Sequence, residues 1–113
     1  MRDIVKIFKA LSDPNRLRIL KMLEIRPLCV CEIREILGLA NSTVSKHLSL
    51  LRDVDFILDH KEGRWVYYRL NTEQTTRYID ELAPLISRWL EKDELVSGDK
   101  KRAEQVERDS CTI

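Results

Sequence analysis

Gly38 stands between two apolar stripes: Ile33, Ile36 and Leu37 before it, Val44, Leu48 and Leu51 after it. Each stripe recurs at the three- and four-residue steps of a helix face. Residues 38–41 leave only a tight connection between them. Two helices joined by so short a Gly-containing turn make a helix-turn-helix. That pattern constrains the rest of the chain more than any other feature.

Upstream, Ile4, Val5, Phe8 and Leu11 place a short amphipathic helix over residues 3–11. Ser12-Asp13-Pro14 ends it and starts the next. Asp13 can cap the free backbone N–H groups, and Pro14 suits the first helical position, where its missing N–H goes unneeded. Leu17, Ile19, Leu20 and Leu23 give this second helix a core face through about Glu24, with Arg16, Arg18 and Lys21 around its other sides. Pro27 interrupts the chain, and a third short helix runs from about Cys31 to Leu37, stopped by Gly38. Asn41 or Ser42 caps the fourth.

The period then changes. Ile57-Leu58-Asp59-His60 and Arg64-Trp65-Val66-Tyr67-Tyr68-Arg69-Leu70 are β-prone, with a turn at Lys61-Glu62-Gly63. They read as a β-hairpin, the wing of a winged helix. A last helix spans about residues 73–92, its apolar face marked by Ile79, Leu82, Ala83, Ile86, Trp89 and Leu90, with Pro84 kinking it from inside. The expected fold is mostly α with a β-hairpin wing: a winged helix-turn-helix in the order α-α-α-α-β-β-α. Residues 1–92 form the DNA-binding and dimerisation domain. Residues 93–113 form a charged, flexible tail, either a frayed solvated helix or disordered.

Composition supports a single soluble domain: of 113 residues, 43% are hydrophobic and 35% charged. A chain this short buries one modest core, and a dimer that shares core is a natural supplement. No apolar run reaches the ~18 residues of a membrane span. Met1-Arg2-Asp3-Ile4-Val5-Lys6 is not the start of a signal peptide, so a cytoplasmic protein without a membrane partner is expected. The net charge of +1 hides an asymmetry, because residues 1–52 carry 10 Lys+Arg against 5 Asp+Glu and residues 91–113 carry 5 against 7. A basic first half suits a polyanion. There is no Gly-rich phosphate loop and no nucleophile–base constellation, so an enzyme is not expected.

A helix fits the major groove and meets base edges with its N-terminal residues. Here those are Asn41, Ser42, Thr43, Ser45, Lys46 and His47. From Lys46 to Arg52 the helix has no acidic side chain, and Arg52 extends its basic surface. Lys61 and Arg64, at the hairpin tip, can grip the DNA backbone or a minor groove. Without the wing, residues 41–52 would also read as an ordinary polar surface helix. His47 alone is ambiguous between capping, packing and a phosphate contact.

Cys29 and Cys31 lie just before and within the third helix. Thiolates are soft ligands. Positions i and i+2 point about 200° apart in an α-helix, so the pair can chelate one ion only if Cys29 lies before the helix and the first turn is extended or unwinds. Chelation would then disturb a helix packed on the reader. The alternative is that the cysteines simply pack as small hydrophobes. Cys111, in the tail, is either an incidental thiol or a third ligand.

Several segments together resemble the ArsR/SmtB family of winged-helix metalloregulators over about residues 3–92. They are Ala10-Leu11-Ser12-Asp13-Pro14-Asn15-Arg16-Leu17-Arg18-Ile19-Leu20, Leu28-Cys29-Val30-Cys31-Glu32-Ile33, Ser42-Thr43-Val44-Ser45-Lys46-His47-Leu48-Ser49-Leu50-Leu51 and Gly63-Arg64-Trp65-Val66-Tyr67-Tyr68. The resemblance implies a homodimer built from the first and last helices, which puts Ile4, Val5, Phe8, Ile79, Leu82, Ile86 and Trp89 at its interface. It implies operator DNA as partner, no cofactor for DNA binding, and release by an inducer. The Cys-Val-Cys segment is similar to the branch that binds trivalent arsenic or antimony. That branch often has a third thiol where this chain has Arg34. Alternatives are a thiol redox sensor, a sensor of another soft metal (Cd, Pb, Zn), and a constitutive winged-helix binder with structural cysteines. Val54-Asp55-Phe56 departs from the small residue and Gly usual at the wing entry.

Overall fold

The computed structural model describes residues 1–73 and 75–107. Its elements are α1 (Arg2–Leu11), α2 (Pro14–Met22), β1 (Leu28–Cys29), α3 (Val30–Leu37), α4 (Asn41–Asp53), β2 (Ile57–Glu62), β3 (Trp65–Leu70), α5 (Arg77–Arg88) and α6 (Glu94–Gln105). The winged helix-turn-helix is present, with two elements beyond the expected order: a short strand before α3 and a helix after α5.

Local chemistry sets the boundaries. The Asp13 carboxylate accepts from the N–H groups of Asn15 and Arg16 at 2.8 and 3.2 Å, and Pro14 opens α2. Gly38 closes α3 at φ 71°, a left-handed conformation that glycine adopts without a Cβ clash. The start of α4 differs from expectation. Asn41 is already helical, and Ala40 occupies the cap position without a side-chain bond. The side chains of Asn41 and Ser42 are therefore not spent on capping.

The hairpin is longer than the sequence suggested. β2 runs through Glu62, which pairs with Trp65, so Gly63 and Arg64 alone make the turn. Gly63 has φ 60°, as the primed turns of two-residue hairpins require. β1 joins the other edge of β3 antiparallel, Leu28 opposite Tyr68 and Cys29 opposite Tyr67, in the order β1-β3-β2. Two residues are too few to show alternation, which is why the strand was not legible.

One core gathers every element. Ile7 and Ala10 of α1 meet Ile19, Leu20 and Met22 of α2, Leu28, Ile33 and Ile36 around α3, and Val44, Leu48 and Leu51 of α4. Phe56 and Ile57 close it from the wing, and Ile79 and Ile86 from α5.

Lys21, expected on an outer side of α2, is fully buried. Its ammonium donates to the carbonyls of Ile86 and Ser87 at 2.9 and 3.1 Å and pairs with Glu24 at 2.8 Å. A cation suits the carbonyl end of α5. α5 runs through Pro84 to Arg88, shorter than the expected 73–92. Leu90 then adopts φ 64°, and the chain turns into α6.

Over residues 94–105 the flexible-tail expectation is corrected. α6 packs on α2 and α3, burying Val96, Asp99 and Ala103. Asp99, 1% exposed, receives a bidentate pair from Arg18 at 2.8 and 3.0 Å. A buried carboxylate is tolerable only with such a partner. The charges that made the segment look solvated are in part what docks it. Residues 108–113 lie outside the described residues.

Asp55 explains the altered wing entry. It holds φ 65°, the conformation for which Gly is suited, and the Asn71 side chain donates to its carbonyl at 3.0 Å. Asp tolerates this region and β-branched residues do not. Asp55→Val should lower stability by about 1–2 kcal/mol, whereas Asp55→Gly should be neutral or stabilising. Urea unfolding of the two variants checks this.

Candidate nucleic-acid interface and thiol site

α4 divides cleanly. Val44, Leu48 and Leu51 are fully buried, while Asn41, Ser42, Thr43, Ser45, Lys46 and Arg52 are exposed. Ser49 and Leu50 share that outer surface. Short polar side chains beside an uncapped helix start give a surface that can approach a polyanion closely. The Arg52 Nε donates to Asp59 Oδ1 at 2.8 Å, which ties the end of α4 to β2 and raises the already high pKa of the guanidinium. Lys61 and Arg64 are exposed at the wing tip, Arg64 lying over the Trp65 ring at 5.2 Å.

His47 is not part of this surface. It is only 9% exposed, with its Nδ1 3.0 Å from Arg16 Nη1. A guanidinium can only donate, so Nδ1 accepts. Arg16 also donates to the carbonyls of Ala10 and Lys9 at 2.8 and 3.1 Å. The pair braces α4 against the junction of α1 and α2. The signal was available: 44, 47, 48 and 51 form one i, i+3, i+4, i+7 stripe.

Cys29 ends β1 and is the N-cap of α3, with extended backbone at φ −87° and ψ 167°. It therefore lies before the helix, which meets one half of the geometric condition for sharing a ligand with Cys31, while the first turn that holds Cys31 is helical. Its N–H donates to the Glu32 carboxylate at 3.0 Å within the buried start of α3. Burial pushes the Cys29 thiol pKa up, and the Glu32 carboxylate adds to this, against the backbone amides of Glu32 and Cys31, which favour the thiolate. Cys29 is a buried free thiol. Cys31 is partly buried and disulfide-bonded, and Arg34 Nη2 approaches its sulfur at 3.5 Å. The residue standing where the third thiol was sought is thus a cation facing Cys31. Cys111 lies outside the described residues. Among the described residues, no three His, Cys, Asp or Glu side chains form a metal-binding group. With Cys31 reduced, the donor set would be two sulfurs, one at a strand end and one in the first helical turn, which suits a soft ligand.

The residues assigned to a dimer interface separate. Val5, Phe8 and Trp89 are 45%, 56% and 52% exposed, and Ile4 and Leu82 are half-buried. Ile79 and Ile86 belong to the chain's own core. Tyr78, Leu90 and Leu95 are further exposed apolar side chains that the sequence reading did not assign to an interface. No helix among the described residues is long and apolar enough to cross a membrane.

A family model described as "Bacterial regulatory protein, arsR family" matches residues 13–58. The cadmium resistance transcriptional regulatory protein CadC homolog of Staphylococcus aureus is 38% identical over 80 residues, 70% of this chain and 66% of that protein. The arsenic resistance transcriptional regulator ArsR1 of Pseudomonas putida is 34% identical over 103 residues, 84% of this chain and 80% of that protein. Among solved structures, reduced HlyU from Vibrio cholerae N16961 superposes with a TM-score of 0.62 at 31% identity, covering 77% of this chain and 87% of that one.

Lys46 is exposed, with no acidic neighbour on its helix before Asp53. If it meets a phosphate, Lys46→Ala should weaken binding to all duplex sequences alike. It should also reduce the slope of log affinity against log salt by about 1. A fluorescence-anisotropy salt series measures both.

Proposed function

The chain belongs to the arsR family of bacterial regulatory proteins, transcriptional regulators rather than enzymes, and we propose that it is a dimeric repressor released from operator DNA when trivalent arsenic or antimony binds its thiolates. The family supports a metal-responsive repressor. The finer assignment to arsenic rests on the Cys29–Cys31 spacing and on arsenic-resistance relatives such as that of Pseudomonas putida. A relative of similar identity is a cadmium resistance regulator, so cadmium is the first competitor.

One observation carries the sensing step. Cys29 is at once the last residue of β1, paired with Tyr67 of the wing strand, and the cap of α3, which packs on α4. A ligand that draws the Cys29 sulfur out toward Cys31 pulls on both elements that would hold DNA. Trivalent arsenic favours three thiolates, and Cys111 is the proposed third. Arg26 donates to the carbonyls of Ala103 and Val106 and also pairs with Glu32, whose carboxylate accepts the Cys29 N–H. The described chain therefore ends close to the thiols. The five residues from Val106 to Cys111 can span up to about 17 Å. Arsenic would be held by Cys29, Cys31 and Cys111 in reduced form, and it would supply strong sulfur bonds that oppose the closed first turn of α3.

In the dimer, the exposed Val5, Phe8 and Trp89 would meet a second copy. Asn41, Ser42, Thr43, Ser45 and Lys46 would enter the major groove, with Lys61 and Arg64 on the flanking backbone. The disulfide-bonded state of Cys31 favours one second reading, a redox sensor that uses the same thiols.

Reduced protein on its own promoter duplex should be released by arsenite at concentrations where zinc does nothing. The Cys29→Ser/Cys31→Ser double variant should bind DNA normally and not release. Fluorescence anisotropy reads both. Release by oxidant alone, with arsenite inert on the reduced protein, would replace the arsenic reading with the redox one. Normal arsenite release from the double variant would end the thiol reading.

A further inference from the structure

The carboxylate of Glu32, nearly out of solvent, connects two parts of the molecule that the sequence keeps far apart. One oxygen accepts the Cys29 N–H at 3.0 Å, and the other accepts from Arg26 Nη2 at 3.1 Å. The same guanidinium donates through Nε to the carbonyl of Ala103 at 2.9 Å and through Nη2 to that of Val106. Those carbonyls close the last turn of α6 and its cap. The end of a helix leaves such carbonyls without intrahelical partners, and its dipole favours a cation there. An unbroken polar path thus runs from the cap of α3 to the C-terminal end of α6.

We propose that Glu32 and Arg26 are positioning residues that couple ligation at Cys29 to the docking of α6. The inference deepens the thiol-sensor reading above and rests on it. For both sulfurs to hold one ligand, the buried Cys29 sulfur must turn out toward Cys31. The first turn of α3 then changes, and Glu32, its third residue, loses the Cys29 N–H. A buried carboxylate stripped of one partner is costly, so Glu32 moves and Arg26 moves with it. Arg26 then releases Ala103 and Val106. Of the other clamps on α6, Arg18 with Asp99 and Lys100 with Glu24 reach α2 and the turn after it, and Arg102 donates to the Ile36 carbonyl of α3 at a long 3.4 Å. Ligation therefore loosens the α3 side of α6, where only the long Arg102 bond is left, while the α2 side stays clamped. Coupling of this kind is reciprocal, so loosening α6 must expose Cys29.

The test uses full-length, reduced protein and has two arms. In the first, cadmium ion is the probe, and its thiolate bond is read by ultraviolet charge-transfer absorbance. Hydrogen exchange should speed up about five-fold or more at the amides of residues 97–106, in step with residues 30–33. In Arg26→Gln, α6 should exchange fast without cadmium. The cadmium band should still form there, with no further change in exchange. Arg26→Lys, which keeps the charge but not the fork, should behave alike.

The second arm needs no ligand. Asp99→Asn, or the milder Lys100→Ala if that variant fails to fold, should raise iodoacetamide alkylation at Cys29 by a similar factor, read by peptide mass mapping. In the Arg26→Gln background it should have no effect. A cadmium band with unchanged exchange in α6 overturns the coupling while the sensor reading stands. No thiolate absorbance band with either cadmium ion or arsenite overturns the sensor reading. Alkylation of Cys29 indifferent to both α6 variants overturns the coupling on its own.

Discussion

One ammonium group, that of Lys21, sits out of solvent between α2 and the end of α5. Left alone, a buried charge is among the most costly features a small protein can carry. Here two carbonyls at the end of α5 and the Glu24 carboxylate surround it. Glu24 in turn pairs with Lys100 of α6 at 2.9 Å. That charge thus ties the end of α5 to α2, and through Glu24 it reaches α6 as well. The exposed Trp89 and Leu90 fall at the reversal between the two helices.

The position of α4 depends on similar polar bracing. Apolar packing of Val44, Leu48 and Leu51 fixes which face of α4 is outward. It fixes less firmly the helix's position along its own axis. Arg16 and His47 brace the middle of α4 against the α1–α2 junction, and Arg52 and Asp59 tie its end to the wing. Charged hydrogen bonds with defined geometry hold position better than apolar contacts alone. The groove-matching role proposed for that surface requires such positioning.

Much of the fold was legible. Pro14, Pro27 and Gly38 punctuate the first half, and the change of period after Phe56 marks the wing. The exposed residues of α4 were read correctly because a helical stripe assigns both faces at once. The failures have physical causes. His47 and Lys21 were placed by residue type rather than by position, and partners distant in sequence made their burial possible. β1 is too short for periodicity to show. α6 is rich in charge, and charge was read as solvation, whereas Arg18 and Asp99 are a docking pair 81 residues apart.

The sequence by itself determined the winged helix-turn-helix, the outward face of its fourth helix and the position of two thiols at the start of the third. Each of these follows from local spacing, and spacing is written in the chain. Only the tertiary structure decided which charges go inside, that Cys29 is joined to the wing through β1, and that Glu32 and Arg26 connect it to α6. Those features pair residues remote in sequence. Nothing in a residue's own neighbourhood reveals a partner that folding brings to it from elsewhere in the chain.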